Sequence, residues 1–173
     1  GSQWTTGKVG GAGNFNGSNN YVSTGVNNLP SGTTPRSVFL WINTPITPPG
    51  YEVIYFGGAG AAYQGIKMVL STDGTIGYWI SGTIHSALIP SLKTWHFIGY
   101  VFAGPPTNVI TVYLDGVTWT SGNNGAVNTV NSSSVIGADA GLYQYFPGLM
   151  DEVRVYNRAL SAAEIMALYN ATK

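Results

Sequence analysis

Cysteine is missing altogether from the 173 residues. No disulfide can hold this fold, and no thiolate is available as a nucleophile or a zinc ligand. An exported bacterial protein and a protein of a reducing compartment both fit that absence. Charge is nearly as scarce: seven Lys and Arg stand against seven Asp and Glu, together 8% of the chain, with a formal net charge of zero. That leaves no basic footprint for nucleic acid and no polybasic patch for a membrane surface. No apolar run approaches the roughly 18 residues of a membrane span, and no signal peptide opens the chain. Membrane insertion is therefore not expected. Histidine is limited to His85 and His96, and glutamate to Glu52, Glu152 and Glu164, so metal clusters and catalytic triads have little material.

What the chain has instead is small and neutral. Twenty-four glycines, with abundant Asn, Ser and Thr, must supply solubility, a composition common in secreted or surface-displayed β-proteins. Gly1-Ser2 reads as a cloning scar. Residues 3–173 then read as one domain, cut from a longer parent chain with neighbouring domains.

Nearly all of the chain reads as strand and turn. Residues 37–43 (SVFLWIN) and 95–102 (WHFIGYVF) are apolar on both faces, as central strands are, and proline-rich clusters follow each. Asp73-Gly74 and Asp115-Gly116 fall between apolar-rich runs, a hairpin signal because a type I′ turn needs positive φ at both central positions. Further short strands are expected at 21–23, 51–56, 66–70, 75–80, 109–114, 117–120 and 135–137, with His85 in a loop. The total, roughly twelve strands with turns between, suits a two-sheet sandwich.

The end of the chain differs. Residues 149–156 read as a strand with Val153 and Val155 on one face, and Asp151 shares their parity, so it points inward or sits at the strand's entrance. Ser161 followed by Glu164 makes a capping box. Ile165, Leu168 and Tyr169 then form the apolar stripe of a short helix that could dock but not stand alone.

The order of motifs resembles the concanavalin A-like jelly roll, in its laminin-G-like branch, which is also related to pentraxins. The residues that carry it are FNGSNNYV at 15–22, SVFLWIN at 37–43, STDGTIGY at 71–78, TWHFIGYVF at 94–102, VYLDG at 112–116 and FPGLMDEVRVYNRALSAAEI at 146–165. The resemblance covers about 13–169 and implies an all-β, two-sheet antiparallel jelly-roll sandwich with one short C-terminal helix. It also implies a last strand that returns beside the first.

Glucanases of that superfamily alternate two glutamates and an aspartate along one strand so that all three face the cleft. Here no glutamate is followed two residues later by an acid, so no enzyme is expected and no catalytic residue is assigned. Asp151 and Glu152, being adjacent, project to opposite faces. Asp151 is expected to accept from loop N–H groups or pair with Arg158, and Glu152 to pair with Arg154 or Lys67. His96, inside a strand, reads as a satisfied, half-buried residue.

The resemblance further implies calcium as a candidate ion, held on loop oxygens. The loop at 137–148 supplies Asp139 and Gln144. A second oxygen cluster could form from Asn16, Asn19, Asn20 and Asp151 if the first and last strands pair; the plainer reading of these residues is turn hydrogen bonding. For ligands, aromatic rings in loops or near turns can stack on the C–H face of a neutral sugar while amides and hydroxyls read its hydroxyl groups. The candidates are Tyr143 and Tyr145, flanking Gln144, with Trp79, His85 and Tyr63. The sequence thus points to a non-catalytic carbohydrate-binding or adhesion module with a glycan or cell-surface ligand, extracellular or at the cell surface. The competing reading is a structural or protein-interaction spacer with no small ligand.

Overall fold

A computed structural model describes residues 3–25, 29–47, 52–58, 64–80, 83–88, 91–123, 127–130, 134–139 and 141–173. Its strands are β1 (Trp4–Thr6), β2 (Gly11–Asn16), β3 (Val22–Ser23), β4 (Arg36–Asn43), β5 (Glu52–Gly58), β6 (Gly65–Leu70) and β7 (Ile76–Ile80). Then come β8 (Thr83–Leu88), β9 (His96–Phe102), β10 (Val109–Leu114), β11 (Val117–Asn123), β12 (Val135–Ile136), β13 (Pro147–Tyr156) and the helix α1 (Ala162–Thr172). Seven strands form one sheet in the order β1-β2-β13-β4-β9-β10-β11, and six form the other as β3-β12-β5-β6-β7-β8. The expected all-β jelly-roll sandwich with one short C-terminal helix is what the chain adopts. The last strand returns to the N-terminal hairpin but lies beside β2 rather than β1, with Pro147 opposite Asn16 and Met150 opposite Gly13.

Alternation along the strands makes the core. Val38, Leu40 and Ile42 of β4, Ile98, Tyr100 and Phe102 of β9, Ile66, Met68 and Leu70 of β6, and Ile76, Tyr78 and Ile80 of β7 meet between the sheets. The apolar residues of opposite parity on β4 and β9 have a different use. Phe39, Trp41, Phe97 and Val101 form a second cluster with Tyr113, Leu160 and Ile165, roofed by Leu168 and Tyr169 of α1. That is why SVFLWIN is apolar on both faces. Gly99 is the register partner of Phe39 and leaves space for its ring, which then stacks on Phe97 at 5.3 Å.

The helix is fixed at both ends. Ser161 and Glu164 form the expected capping box, and Arg158 adds a 2.6 Å ion pair to Glu164. At the far end the Trp41 indole N–H donates to Thr172 Oγ1 at 2.9 Å, with Tyr169 stacked on the indole. An isolated helix of this length is marginal in water, so docking over Trp41 holds it.

Several local expectations change. β2 occupies a glycine-rich stretch that carries no strand pattern, and pairing with β1, Trp4 to Gly13, supplies what propensity lacks. Residues 83–88 form β8, so His85 lies in a strand, as register partner of Tyr78. Asp115 and Gly116 both have positive φ, as a type I′ turn requires. At Asp73-Gly74 only the glycine does; Asp73 Oδ1 instead accepts from Thr75 N and Oγ1. On β13 a bulge between Asp151 and Arg154 shifts the register. Asp151 therefore stands opposite Trp41, on the face away from Val153 and Val155, and its inward parity is lost.

Candidate functional site

The outer face of the seven-strand sheet is taken by α1. On the six-strand sheet the outward positions of β6 are Lys67 and Val69, since Ile66, Met68 and Leu70 face the core, and β7 contributes Trp79 in the same way. Val69, Val135 and Ala138 form a small apolar cluster on that face, against which Trp79 and Tyr145 pack half-buried.

Lys67 is the centre of the arrangement. Its ammonium lies 4.5 Å from the centre of the Trp79 ring and 2.6 Å from Asp139 Oδ2. The side chains of the pair are only 13% and 3% exposed. A charge pair so far from water persists only when each partner is satisfied, since losing either leaves the other stranded. Tyr143 covers the carboxylate: Asp139's charge first, and the phenol's hydrogen bond to it second, raise the Tyr143 pKa above the ordinary tyrosine value. The ring itself is 55% exposed.

The loop that carries these groups is tightly wound. Asp139 N–H donates to the Tyr143 carbonyl, Leu142 N–H to that of Asp139, and Phe146 N–H to that of Gly137. Leu142 and Gln144 take left-handed backbone at φ 55° and 57°. Gly137, at φ 81°, lies where any Cβ would strike the Phe15 ring. Beside the loop, the Tyr21 ring sits 6.5 Å from Tyr145. The face is thus a run of rings, Trp79, Tyr143, Tyr145 and Tyr21, over a buried ion pair. Four inter-strand steps separate β7 from β3, roughly 19 Å, which is room for an oligosaccharide rather than one ring.

Of the residues expected from sequence, the structure brings together Tyr143, Gln144, Tyr145, Trp79 and Asp139. Tyr63 lies outside the described residues. His85 is not in a loop. Sequence reasoning missed Lys67 as Asp139's partner, although a single charge in the apolar run of β6 was a signal that it faced outward. It also missed Tyr21, for which no local signal exists.

The oxygens nominated for calcium do not converge. Asp139 faces Lys67. Asn16 Oδ1 accepts from the N–H groups of Ser18, Asn19 and Asn20, while its amide donates to Asn19 Oδ1. Asp151, 6% exposed, accepts from Val9 N at 2.8 Å and Glu152 N at 2.7 Å. Among the described residues no three His, Cys, Asp or Glu side chains cluster as a metal site. Calcium wants about six to eight oxygens, and these residues do not fit it as they stand.

The remaining charges serve structure. Asp151 takes the loop N–H rather than Arg158, which pairs with Glu164. Glu152 pairs with Arg154, and Lys67 lies in the other sheet. His96 Nδ1 is 2.9 Å from Asp115 Oδ2 and its Nε2 is 3.0 Å from Ser91 Oγ. Asp115 Oδ1 also accepts from Phe97 N, so the group ties the β10–β11 turn to the start of β9.

Sequence comparison agrees with the architecture. Residues 16–166 match the laminin-G-like family model of the concanavalin A-like lectin/glucanases superfamily, and the chain belongs to that family. No curated protein matches. Among solved structures, it is similar to domain 4 of AbnA, a GH43 extracellular arabinanase from Geobacillus stearothermophilus in complex with arabinotriose. That match has 24% identity and a TM-score of 0.76 over 96% of this chain and 80% of that one. The heptameric SAP-like pentraxin of Limulus polyphemus follows at 16% identity and TM-score 0.71, over 90% and 80%. The binding domain of Paraclostridial Mosquitocidal Protein 1 superposes with TM-score 0.73 at 18% identity, over 98% of this chain and 45% of that one. No helix among the described residues is long and apolar enough to cross a membrane.

Proposed function

We propose that the chain is a non-catalytic carbohydrate-binding module, extracellular or displayed at a cell surface as part of a longer protein. Its ligand is a neutral glycan lying across the outer face of the six-strand sheet. The observation that carries this reading is the asymmetry of the two outer faces: one is roofed by α1, and the other presents Trp79, Tyr143 and Tyr145 around a satisfied ion pair. Rings held from beneath by a buried charge pair lose little entropy on binding, which suits a platform for the C–H face of a sugar. Gln144, in the same loop, has an amide that can read hydroxyl groups. Among the described residues of this face, the Lys67 ammonium is engaged by Asp139 and so is not offered to an acidic ligand. Non-catalysis is supported by the carboxylates, since Glu152 and Glu164 are engaged with arginines and Asp151 is buried. The arabinanase domain's complex with arabinotriose suggests arabinose oligomers as first probes.

The test is affinity electrophoresis through gels containing arabinan, xylan, β-glucan or galactan, in calcium and in chelator. Retardation by at least one polysaccharide, lost in Trp79→Ala and Tyr143→Ala and indifferent to chelator, is expected. Silence in all four gels would favour a spacer or protein-interaction role instead.

A further inference from the structure

On the flank of the sandwich, β1 and β2 of one sheet lie across from β3 and β12 of the other, and the space between them is not filled. A cavity of about 230 Å³ opens there, with Trp4 and Val22 at its mouth and Phe15, Ile136, Met150 and Val153 on its walls. Gly11 and Gly13 of β2 also line it, and Gly13 is the cross-strand partner of Trp4. Phe15, whose ring lies 2.9 Å from where a Gly13 Cβ would stand, supplies the β2 side chain on that wall, and the two glycines leave the rest of the strand's face open.

Two independent features point to an occupant. Trp4 is 70% exposed and Val22 is 45% exposed. An indole this exposed beside an apolar cavity can offer a face to the C–H side of a ring held there. The second feature is Glu152, which also lines the cavity. It occupies left-handed backbone at φ 51° within the β13 bulge. Bulges re-aim side chains, and strained non-glycine backbone concentrates where ligands are held. Glu152 is the polar side chain of the rim: its Oε2 is held by the Arg154 guanidinium and its Oε1 is left as an acceptor, while the Asp151 carboxylate turns to the other face, where Val9 N donates to it. The rim therefore offers an acceptor without net charge, which suits a neutral ligand.

We propose that this cavity is a second saccharide subsite, taking one neutral ring with its C–H face on Trp4 and a hydroxyl donating to Glu152. Tyr21 belongs to the outer face and Val22, the next residue, to the cavity. A chain lying on the outer face can therefore pass over β3 and leave a terminal or branching ring on the flank. The inference rests on the reading of the module as sugar-binding, but not on the outer-face site.

The five tryptophans give one indole N–H signal each in a nitrogen-15 spectrum. Those of Trp4 and Trp79 are assigned by Trp4→Phe and Trp79→Phe, then followed through titrations with arabinotriose, xylotriose and cellotriose. Gly11→Val narrows the cavity safely, because a Cβ there meets nothing nearer than the Thr5 carbonyl oxygen at 3.7 Å. The expected result is a saturable shift of the Trp4 signal with at least one sugar, weakened about fivefold or more in Gly11→Val while the Trp79 response is unchanged. A Trp79 shift with Trp4 silent overturns the flank subsite and leaves the outer face standing. A Trp4 shift with Trp79 silent does the reverse. Silence of both signals with all three sugars overturns both sites.

Discussion

The two sheets of this molecule carry aromatic residues on their outer faces, but for opposite ends. On the seven-strand sheet, Phe39, Trp41 and Phe97 are at most 2% exposed, because α1 is capped, paired and pinned over them. On the six-strand sheet, nothing among the described residues plays the helix's part; Trp79 and Tyr145 are half-buried and Tyr143 is 55% exposed. The first face uses aromatic area as core. The second steadies its rings with an ion pair and leaves their faces to solvent. Burial of a ring and availability of a ring are thus decided by what is packed above it, not by residue type.

Removing Trp41 should break this contrast most severely. Trp41→Ala deletes a buried indole and its bond to Thr172, and is expected to cost about 3–5 kcal/mol in urea denaturation. A loss below roughly 1 kcal/mol would mean that the helix is not held by this contact. Next comes the ion pair. Asp139→Ala strands the Lys67 ammonium and should cost about 2–3 kcal/mol, below the usual range for a buried pair because Lys67 retains some exposure. The double change Lys67→Met with Asp139→Leu should restore most of that loss; if it does not, the pair is more than an electrostatic prop.

Tyr143→Ala should be the opposite of Trp41→Ala, shifting stability by about 0.5 kcal/mol while weakening glycan binding tenfold or more. Equal effects on both would erase the distinction between the faces. In the intact protein the Tyr143 phenol should ionise above the ordinary tyrosine value, because the Asp139 charge and hydrogen bond hold it protonated. Asp139→Asn should bring it down in an ultraviolet titration.

The smallest effect concerns the helix cap. The Arg158 hydrogen bond first, and Ser161 after it, lower the Glu164 pKa from 4.5 to about 2. A carboxylate lowered on folding stabilises the folded state fully above its unfolded value, and the contribution is lost as pH falls toward the folded one. The cap's small contribution should therefore fade between 4.5 and about 2. Glu164→Gln should flatten the urea midpoint across that window, and an unchanged slope would remove Glu164 from the account.

Much of the fold was legible because its signals are local. The alternation of β6 and β7, the double-sided apolar runs of β4 and β9, the Asp115-Gly116 turn and the Ser161-Glu164 box each depend on residues a few positions apart. β2 was illegible because glycine carries no strand preference, and only pairing with β1 and β13 makes it a strand. Asp151 was misplaced because one inserted residue in a strand reverses every later side chain, and nothing around it announces the bulge. The site was half legible: the Tyr143–Tyr145 loop and Trp79 stood out as rings near turns, whereas Lys67 and Tyr21 did not.

The sequence by itself determined an all-β chain with a capped final helix, poor in charge, without cysteine and rich in aromatic residues. Which aromatic residues became core and which became surface was decided only by the tertiary structure. The ion pair under the outer face joins residues 72 positions apart, and the helix that roofs the opposite face bonds to an indole 131 positions away. Neither contact has a local pattern, because both follow from the order in which distant strands lie side by side.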